Sequence, residues 1–364
     1  MTASAVDSVR SLFERAREMG ASDLHVEPDA AGVCVHARRD GVLVTLESLP
    51  LDVAPRIIGR LKSLADLLAY RTDVPQEGRI AADRSGVGVE IRVATYPTIF
   101  GERAALRFDA PDATAMSLDA LGLPAAARAG LAATIQRPDG VVLLTGPSGS
   151  GKTTTLYACL RHVAAQTPRR SIVTVEDPVE RRVEGVTQTQ VAPAAGLDFA
   201  RALRSLLRQD PEVILVGEIR DRETAGIALE AGLTGHLVAS TIHAGTAPQV
   251  FARLLDMGVE PFVVTTAVRG VLSQRLLRKR CAECNGSPTC AACRGTGYRG
   301  RVLVAEWLES SPALRAAVAA RCDGDALAAA AREAGFRTLR DEAASLVARG
   351  VTTNEEVDRV LGAA

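Results

Sequence analysis

The apolar positions of this chain change period several times before residue 110. Val6, Val9, Phe13 and Ala16 recur at helical spacing. Gly32 to Ala37 and Gly88 to Thr95 alternate as half-buried strands do, and Val53 to Leu68 returns to a helical period. Short strands mixed with helices predict a small α+β domain over residues 1–110. The stretch from Phe108 to Ser117 is polar, holds a proline and has no period, so residues 111–117 are expected to be a linker.

From Leu118 onward the pattern becomes strand–helix alternation. Strands are expected at Val141–Thr145, Ser171–Glu176, Glu212–Val216 and Leu237–Ile242, with helices between them. Such alternation predicts an α/β core over residues 118–280, a parallel sheet covered by helices with ligands at the carboxyl ends of its strands. Residues 281–300 form an insert rich in cysteine and glycine. Residues 301–364 are rich in alanine and helical in period, and are expected to be a helical subdomain. There is no internal repeat.

Between the first of those strands and its helix lies Gly146-Pro147-Ser148-Gly149-Ser150-Gly151-Lys152-Thr153, followed by Thr154. It fits the phosphate-binding loop G-x-x-x-x-G-K-[ST] in the correct strand–turn–helix setting. Glycines let backbone N–H groups close around phosphate oxygens at a helix N-terminus. Lys152 supplies a point charge to the outer phosphates, and the Thr153 hydroxyl is placed to ligate Mg²⁺. Composition sharpens this. The chain has three lysines, Lys62, Lys152 and Lys279, against forty arginines, yet lysine occupies the loop. A slim ammonium fits where a planar guanidinium does not.

Basic and acidic residues balance at 43 each, which argues against a generally basic nucleic-acid binder. No run of residues has the length and apolarity of a membrane span, and the charged N-terminus does not read as a signal peptide. A cytoplasmic protein is expected, and its seven cysteines then read as metal ligands or buried thiols rather than disulfides.

Two further strands end in acids. Val213 to Val216 leads to Glu218, in the position of the acid that organises Mg²⁺; Ile172 to Val175 leads to Glu176 and Asp177. Parallel strands beside the phosphate loop deliver these ends to one cleft, where Glu176 is placed to orient or deprotonate an attacking water. His236 and His243 flank the strand Leu237–Ile242 and are candidates for phosphate or water contacts, against the commoner packing or capping role of lone histidines. Arg79, Arg92, Arg103 and Arg107 in the N-terminal domain are either cations for a transferring phosphoryl group or a solvated basic face. Spacing alone does not choose between them.

Cys281-x-x-Cys284 and Cys290-x-x-Cys293 are two knuckles that together make a four-thiolate site suited to structural zinc. Unpaired thiols and an iron–sulfur cluster are the alternatives. Cys34, Cys159 and Cys322 read as incidental thiols.

Together these pieces resemble the secretion ATPase family of type II secretion and type IV pilus assembly (GspE/PulE/PilB-like). The likeness runs through Ala21-Ser22-Asp23-Leu24-His25-Val26-Glu27-Pro28, Pro75 to Arg79, Ile91 to Val93, Pro97 to Arg103, Thr174 to Glu180, Leu207 to Asp221, Thr234 to His243, and Cys293 to Arg301. It implies a RecA-like P-loop core with a parallel sheet, a small PAS-like α+β domain before it, a zinc-knuckle insert and a helical C-terminus. It also implies ATP hydrolysis to ADP, with Glu176 activating water, Glu218 organising Mg²⁺, His236 and His243 near the nucleotide, and Arg79 and Arg92 near the outer phosphates. Arg103 is a weaker candidate there. By the same resemblance the partners are five further copies in a homo-hexamer and an inner-membrane platform protein. The chain would be held peripherally at the cytoplasmic face of the inner membrane, assembling pilin or pseudopilin. Departures from the pattern are the roughly twenty residues before Ala21, Ala244-Gly245 after His243, and the short cysteine loop. They suggest a minimal variant without the family's extra N-terminal domain. A retraction motor and a catalytically silent scaffold ring are the competing readings. The four cysteines argue against the first, and the joint presence of Lys152, Thr153, Glu176 and Glu218 argues against the second.

Overall fold

A computed structural model describes residues 5–109, 117–284, 287 and 289–363. The chain forms two compact units, Met1–Asp112 and Ala113–Ala364. The expected linker, residues 111–117, lies outside the described residues apart from Ser117.

The first unit runs α1 (Ala5–Glu18), β1 (Asp23–Pro28), β2 (Val33–Arg39), β3 (Val42–Leu49), α2 (Ala54–Leu64), β4 (Gln76–Ile80), a short α3 (Ala82–Ser85), β5 (Ile91–Thr98) and β6 (Gly101–Phe108). Its six strands form one sheet, order β3-β2-β1-β6-β5-β4, antiparallel throughout. Side chains alternate across a pleated sheet, so one face carries Val93, Leu106, Leu24 and Ala37 in register. These are buried with Val9, Leu12 and Phe13 of α1 and Ile57, Ile58 and Leu61 of α2. The helix expected to reach Leu68 stops at Leu64, because Asp66 adopts a left-handed backbone (φ 56°) that no helix can continue through. Lys62, on α2, is wholly buried. It pairs with the Glu102 carboxylate and donates to the Arg71 carbonyl at 2.6 Å.

The second unit begins with α4 (Ala125–Ile135), β7 (Gly140–Thr145), α5 (Lys152–Ala164), β8 (Ile172–Glu176), β9 (Thr187–Gln190) and α6 (Phe199–Leu206). It continues with β10 (Val213–Ile219), α7 (Arg222–Leu233), β11 (Leu237–Ile242), α8 (Ala247–Asp256), α9 (Pro261–Ala267), β12 (Val268–Arg280) and β13 (Tyr298–Glu309). Four helices close it: α10 (Pro312–Ala319), α11 (Gly324–Glu333), α12 (Leu339–Ala348) and α13 (Asn354–Leu361). The sheet order is β13-β12-β7-β11-β10-β8-β9, parallel from β12 to β9 with β13 antiparallel at the edge. Every residue of β7, β8 and β11 is buried, as befits strands covered on both faces. Val142, Leu144 and Leu215 pack with Leu131 of α4 and Leu156 and Leu160 of α5. Val141, Leu143 and Ile214 pack on the other side with Leu203, Leu229 and Phe251.

The C-terminal boundary needs correction. Residues 301–309, expected to open a helical subdomain, belong to β13 and complete the sheet of the core. Leu303 to Ala305 is buried between helices on both faces, so it reads as a plain apolar run with no period of its own. The helical part begins at Pro312, and the cysteine insert is the tip of the β12–β13 hairpin. Trp307 fixes that hairpin edge against α4. A Cβ placed on Gly130 would lie 2.1 Å from its Nε1, and one on Gly270 2.3 Å from its ring.

Candidate functional site

Strand β7 ends at Thr145 and α5 begins at Lys152, so Gly146 to Gly151 make the connecting turn. Gly151, at φ 92°, caps α5 in a left-handed conformation that side chains disfavour. The Lys152 ammonium donates to the carbonyls of Gly146 (2.7 Å) and Pro147 (3.0 Å). Burial lowers its pKa, against the opposing pull of the Glu218 carboxylate. Thr154 follows within the first turn of the helix.

The parallel register brings the other strand ends level with this turn. Val216 pairs with Val175 on one side and Ser240 on the other, and Ser240 pairs with Leu143. The result is a cavity of about 370 Å³ lined by Ser148, Lys152, Thr153, Glu176, Asp177, Glu218, Arg220 and His243. Seven residues singled out from sequence thus share one cleft: Ser148, Lys152, Thr153, Glu176, Asp177, Glu218 and His243.

Glu176 is only 4% exposed. Its carboxylate accepts from the Tyr157 hydroxyl (2.5 Å), the Thr174 hydroxyl (2.5 Å) and the Gln188 amide (3.0 Å). The Tyr157 hydroxyl in turn accepts from the backbone N–H of Glu180 (3.2 Å) and Arg181 (3.3 Å). Burial, then the neighbouring carboxylate, raises the Tyr157 pKa well above the ordinary phenol value. Glu218 is held differently. One oxygen meets His243 Nε2 at 2.7 Å and the other takes a two-pronged contact from the Arg220 guanidinium at 2.8 Å. Thr145 ties the loop after β11 to the phosphate turn: its hydroxyl donates to the Ala244 carbonyl (2.8 Å) and accepts the Ala244 N–H (2.9 Å).

His236 does not join this group. It precedes β11, and its carbonyl accepts the N–H of Gly140, at the start of β7. The six-residue strand β11 therefore separates it from His243 by roughly 20 Å, at the opposite end of that strand. Its ring bonds locally, Nδ1 lying 3.1 Å from the Ala231 carbonyl. The structure thus does not bring His236 to the residues that line this cleft. Flanking a strand is not the same as facing its ligand end.

In the first unit Arg79 pairs in register with Arg92, and Arg92 with Arg107. Cross-strand partners share a face, so these three form a row on the side away from α1 and α2. Arg79 lies 3.4 Å from Glu90, and Arg103 donates to Glu27 at 2.6 Å.

At the hairpin tip, the sulfur atoms of Cys281, Cys290 and Cys293 lie within 4.8 Å of one another. Cys281 and Cys290 are 4.0 Å apart. Tetrahedral zinc with bonds of about 2.3 Å requires sulfurs about 3.8 Å apart, so these three fit the metal. Burial raises the Cys293 thiol, but the Gly297 N–H and the neighbouring thiols outweigh it and bring it down to about 7. Cys284 adjoins this trio, its thiol hydrogen-bonded to Cys293 and its sulfur also directed to the Ser287 carbonyl at 3.3 Å.

Tyr157, Thr174, Gln188 and Thr145 escaped the sequence reading. Tyr157, Gln188 and Thr145 are placed by partners 12 or more residues away in the chain, whereas Thr174 bonds Glu176 two residues on. The one local hint is a tyrosine inside an otherwise apolar helical stretch, in a chain with only four.

The family model described as "Type II/IV secretion system protein" matches residues 2–359. Putative type II secretion system protein E of Escherichia coli K12 is 40% identical over 379 residues, covering 98% of this chain and 76% of that protein. The type IV pilus assembly ATPase PilB of Thermus thermophilus is 38% identical over 375 residues, covering 96% of this chain and 42% of that one. Among solved structures, the pilus retraction motor PilT with bound ADP superposes with a TM-score of 0.66 at 28% identity, covering 97% of this chain and 96% of that one.

Proposed function

The chain belongs to the type II/IV secretion system protein family, and from that premise we propose that the cleft between β7, β8, β10 and β11 is the ATP site of a ring-forming motor. The chain is a secretion-type ATPase that drives a type II secretion or type IV pilus-like machine. Its phosphate turn receives the outer phosphates on backbone N–H groups, and Lys152 counters their charge. Glu176 takes a proton from the attacking water, the new oxygen–phosphorus bond forms at the terminal phosphate, and ADP leaves with the bond to that phosphate broken. Tyr157, Thr174 and Gln188 hold the Glu176 carboxylate in position. Thr153 and Glu218 line the same cleft and would hold Mg²⁺, which supplies charge neutralisation at the phosphates. His243 and Arg220 orient Glu218. The cysteine cluster would bind zinc and lock the end of the hairpin.

The carrying observation is the convergence of Lys152, Thr153, Glu176 and Glu218 on one cavity. The wider assembly follows from the family: a homo-hexamer at the cytoplasmic face of the inner membrane, acting through a platform protein. No helix among the described residues is long and apolar enough to cross a membrane, so membrane contact would run through partners. The likeness to PilT favours retraction as a second reading; the cysteine cluster favours assembly.

Steady-state ATPase activity across a protein concentration series tests this, with Lys152→Ala as control. Activity rising steeply with concentration and abolished in the variant is the expected result. A parent protein that binds no ATP or ADP would overturn the assignment of the cleft.

A further inference from the structure

Gln274 is polar, central in β12 and wholly buried. Nothing in the sequence pattern marks it. Its side-chain amide donates to the Ser150 carbonyl at 2.8 Å, and its side-chain oxygen accepts from the Thr155 hydroxyl at 3.1 Å. Both partners belong to the phosphate turn and the first turn of α5. The contact is close: a Cβ on Gly151 would stand 3.1 Å from the Gln274 amide nitrogen, and one on Gly146 2.5 Å from its backbone carbonyl oxygen.

We infer that Gln274 is a positioning residue for the reaction, acting through the Ser150–Gly151 peptide. In a trans peptide the C=O of one residue and the N–H of the next point in opposite directions. Holding the Ser150 carbonyl toward β12 therefore turns the Gly151 N–H away from β12, into the concavity that receives phosphate. Gly151 has no side chain, so φ of either sign is open to it and the peptide before it can turn; here φ is 92°. The amide of Gln274 removes that freedom from behind. Thr155 fixes the amide's own orientation, because its hydroxyl donates to the oxygen and leaves the nitrogen facing Ser150.

The Gly151 N–H serves substrate and transition state alike, so its loss weakens binding more than chemistry. Gln274→Leu keeps the side-chain bulk and removes both hydrogen bonds. It is expected to raise KM for ATP and the Kd for ADP about tenfold, with kcat within about threefold. Gln274→Glu sets a carboxylate against the Ser150 carbonyl and should raise KM at least as much. Thr155→Val, which frees the amide without removing it, should give a smaller rise and stands in should the Gln274 variants fail to fold. A shrinking folded fraction lowers kcat and leaves KM unchanged; that result, or unchanged KM in all three variants, overturns the inference. The inference rests on the phosphate-loop reading above. Lys152→Ala, which leaves Gln274 and its partners in place, reports separately on a failure of that reading.

Discussion

Tyr157 on α5 donates its hydroxyl to Glu176 at the end of β8, across 2.5 Å in a buried setting. The helix that opens with the phosphate turn thereby holds the acid we propose to activate water. In the proposed mechanism, phosphate binding and proton removal then share a single rigid element.

Tyr157→Phe deletes that donor while keeping the ring. Glu176 retains Thr174 and Gln188, but its second oxygen loses its protein partner. The expected outcome is a fall in kcat of about tenfold with KM for ATP little changed, and a stability loss of about 1–2 kcal/mol by thermal melting. A tenfold rise in KM with full kcat would detach Tyr157 from the chemistry.

His243 and His236 should behave differently although they bracket one strand. His243→Ala removes the contact to Glu218 and is expected to lower kcat by about tenfold or more. His236→Ala touches only local bonds at the far end of β11, so ADP affinity should match the parent. Isothermal titration of both variants checks this; an affinity loss confined to His236→Ala would reverse the placement.

Glu356 on α13 is wholly buried and takes a side-chain contact from Arg278 at 2.7 Å and from Arg359 at 2.6 Å. Burial pushes its carboxyl upward, but Arg359 and Arg278 outweigh this and hold it down to about 2. A depressed carboxyl contributes stability that is full above its ordinary value near 4.5 and is lost as pH falls toward about 2. Glu356→Gln should therefore melt below the parent at neutral pH, by about 3 kcal/mol, with the gap closing over that acid range. A gap independent of pH would show that the charge is not what holds α13.

Chelating metal from the purified protein should loosen the hairpin end and spare the cleft. Hydrogen exchange is expected to quicken at the described residues around Cys281 and Cys290–Cys293, with β7 and β11 unchanged and ADP affinity retained. Cys290→Ser should bind clearly less zinc than the parent in elemental analysis. Full zinc content in that variant would remove Cys290 from the site.

What the sequence determined by itself was local and contiguous. The phosphate turn, the strands β7, β8, β10 and β11 and the acids at their ends were legible because each depends on residues close together in the chain. The cysteine knuckles were legible for the same reason. Tertiary structure decided the rest. It gave Tyr157 and Gln188 to Glu176, and Gln274 to Ser150, by pairing positions that no spacing connects. It moved residues 301–309 from a helical tail into the sheet, because a strand buried on both faces has no period to read. It also sent His236 and His243 to opposite ends of β11, because a strand carries its two ends apart by its own length, whatever their nearness in sequence.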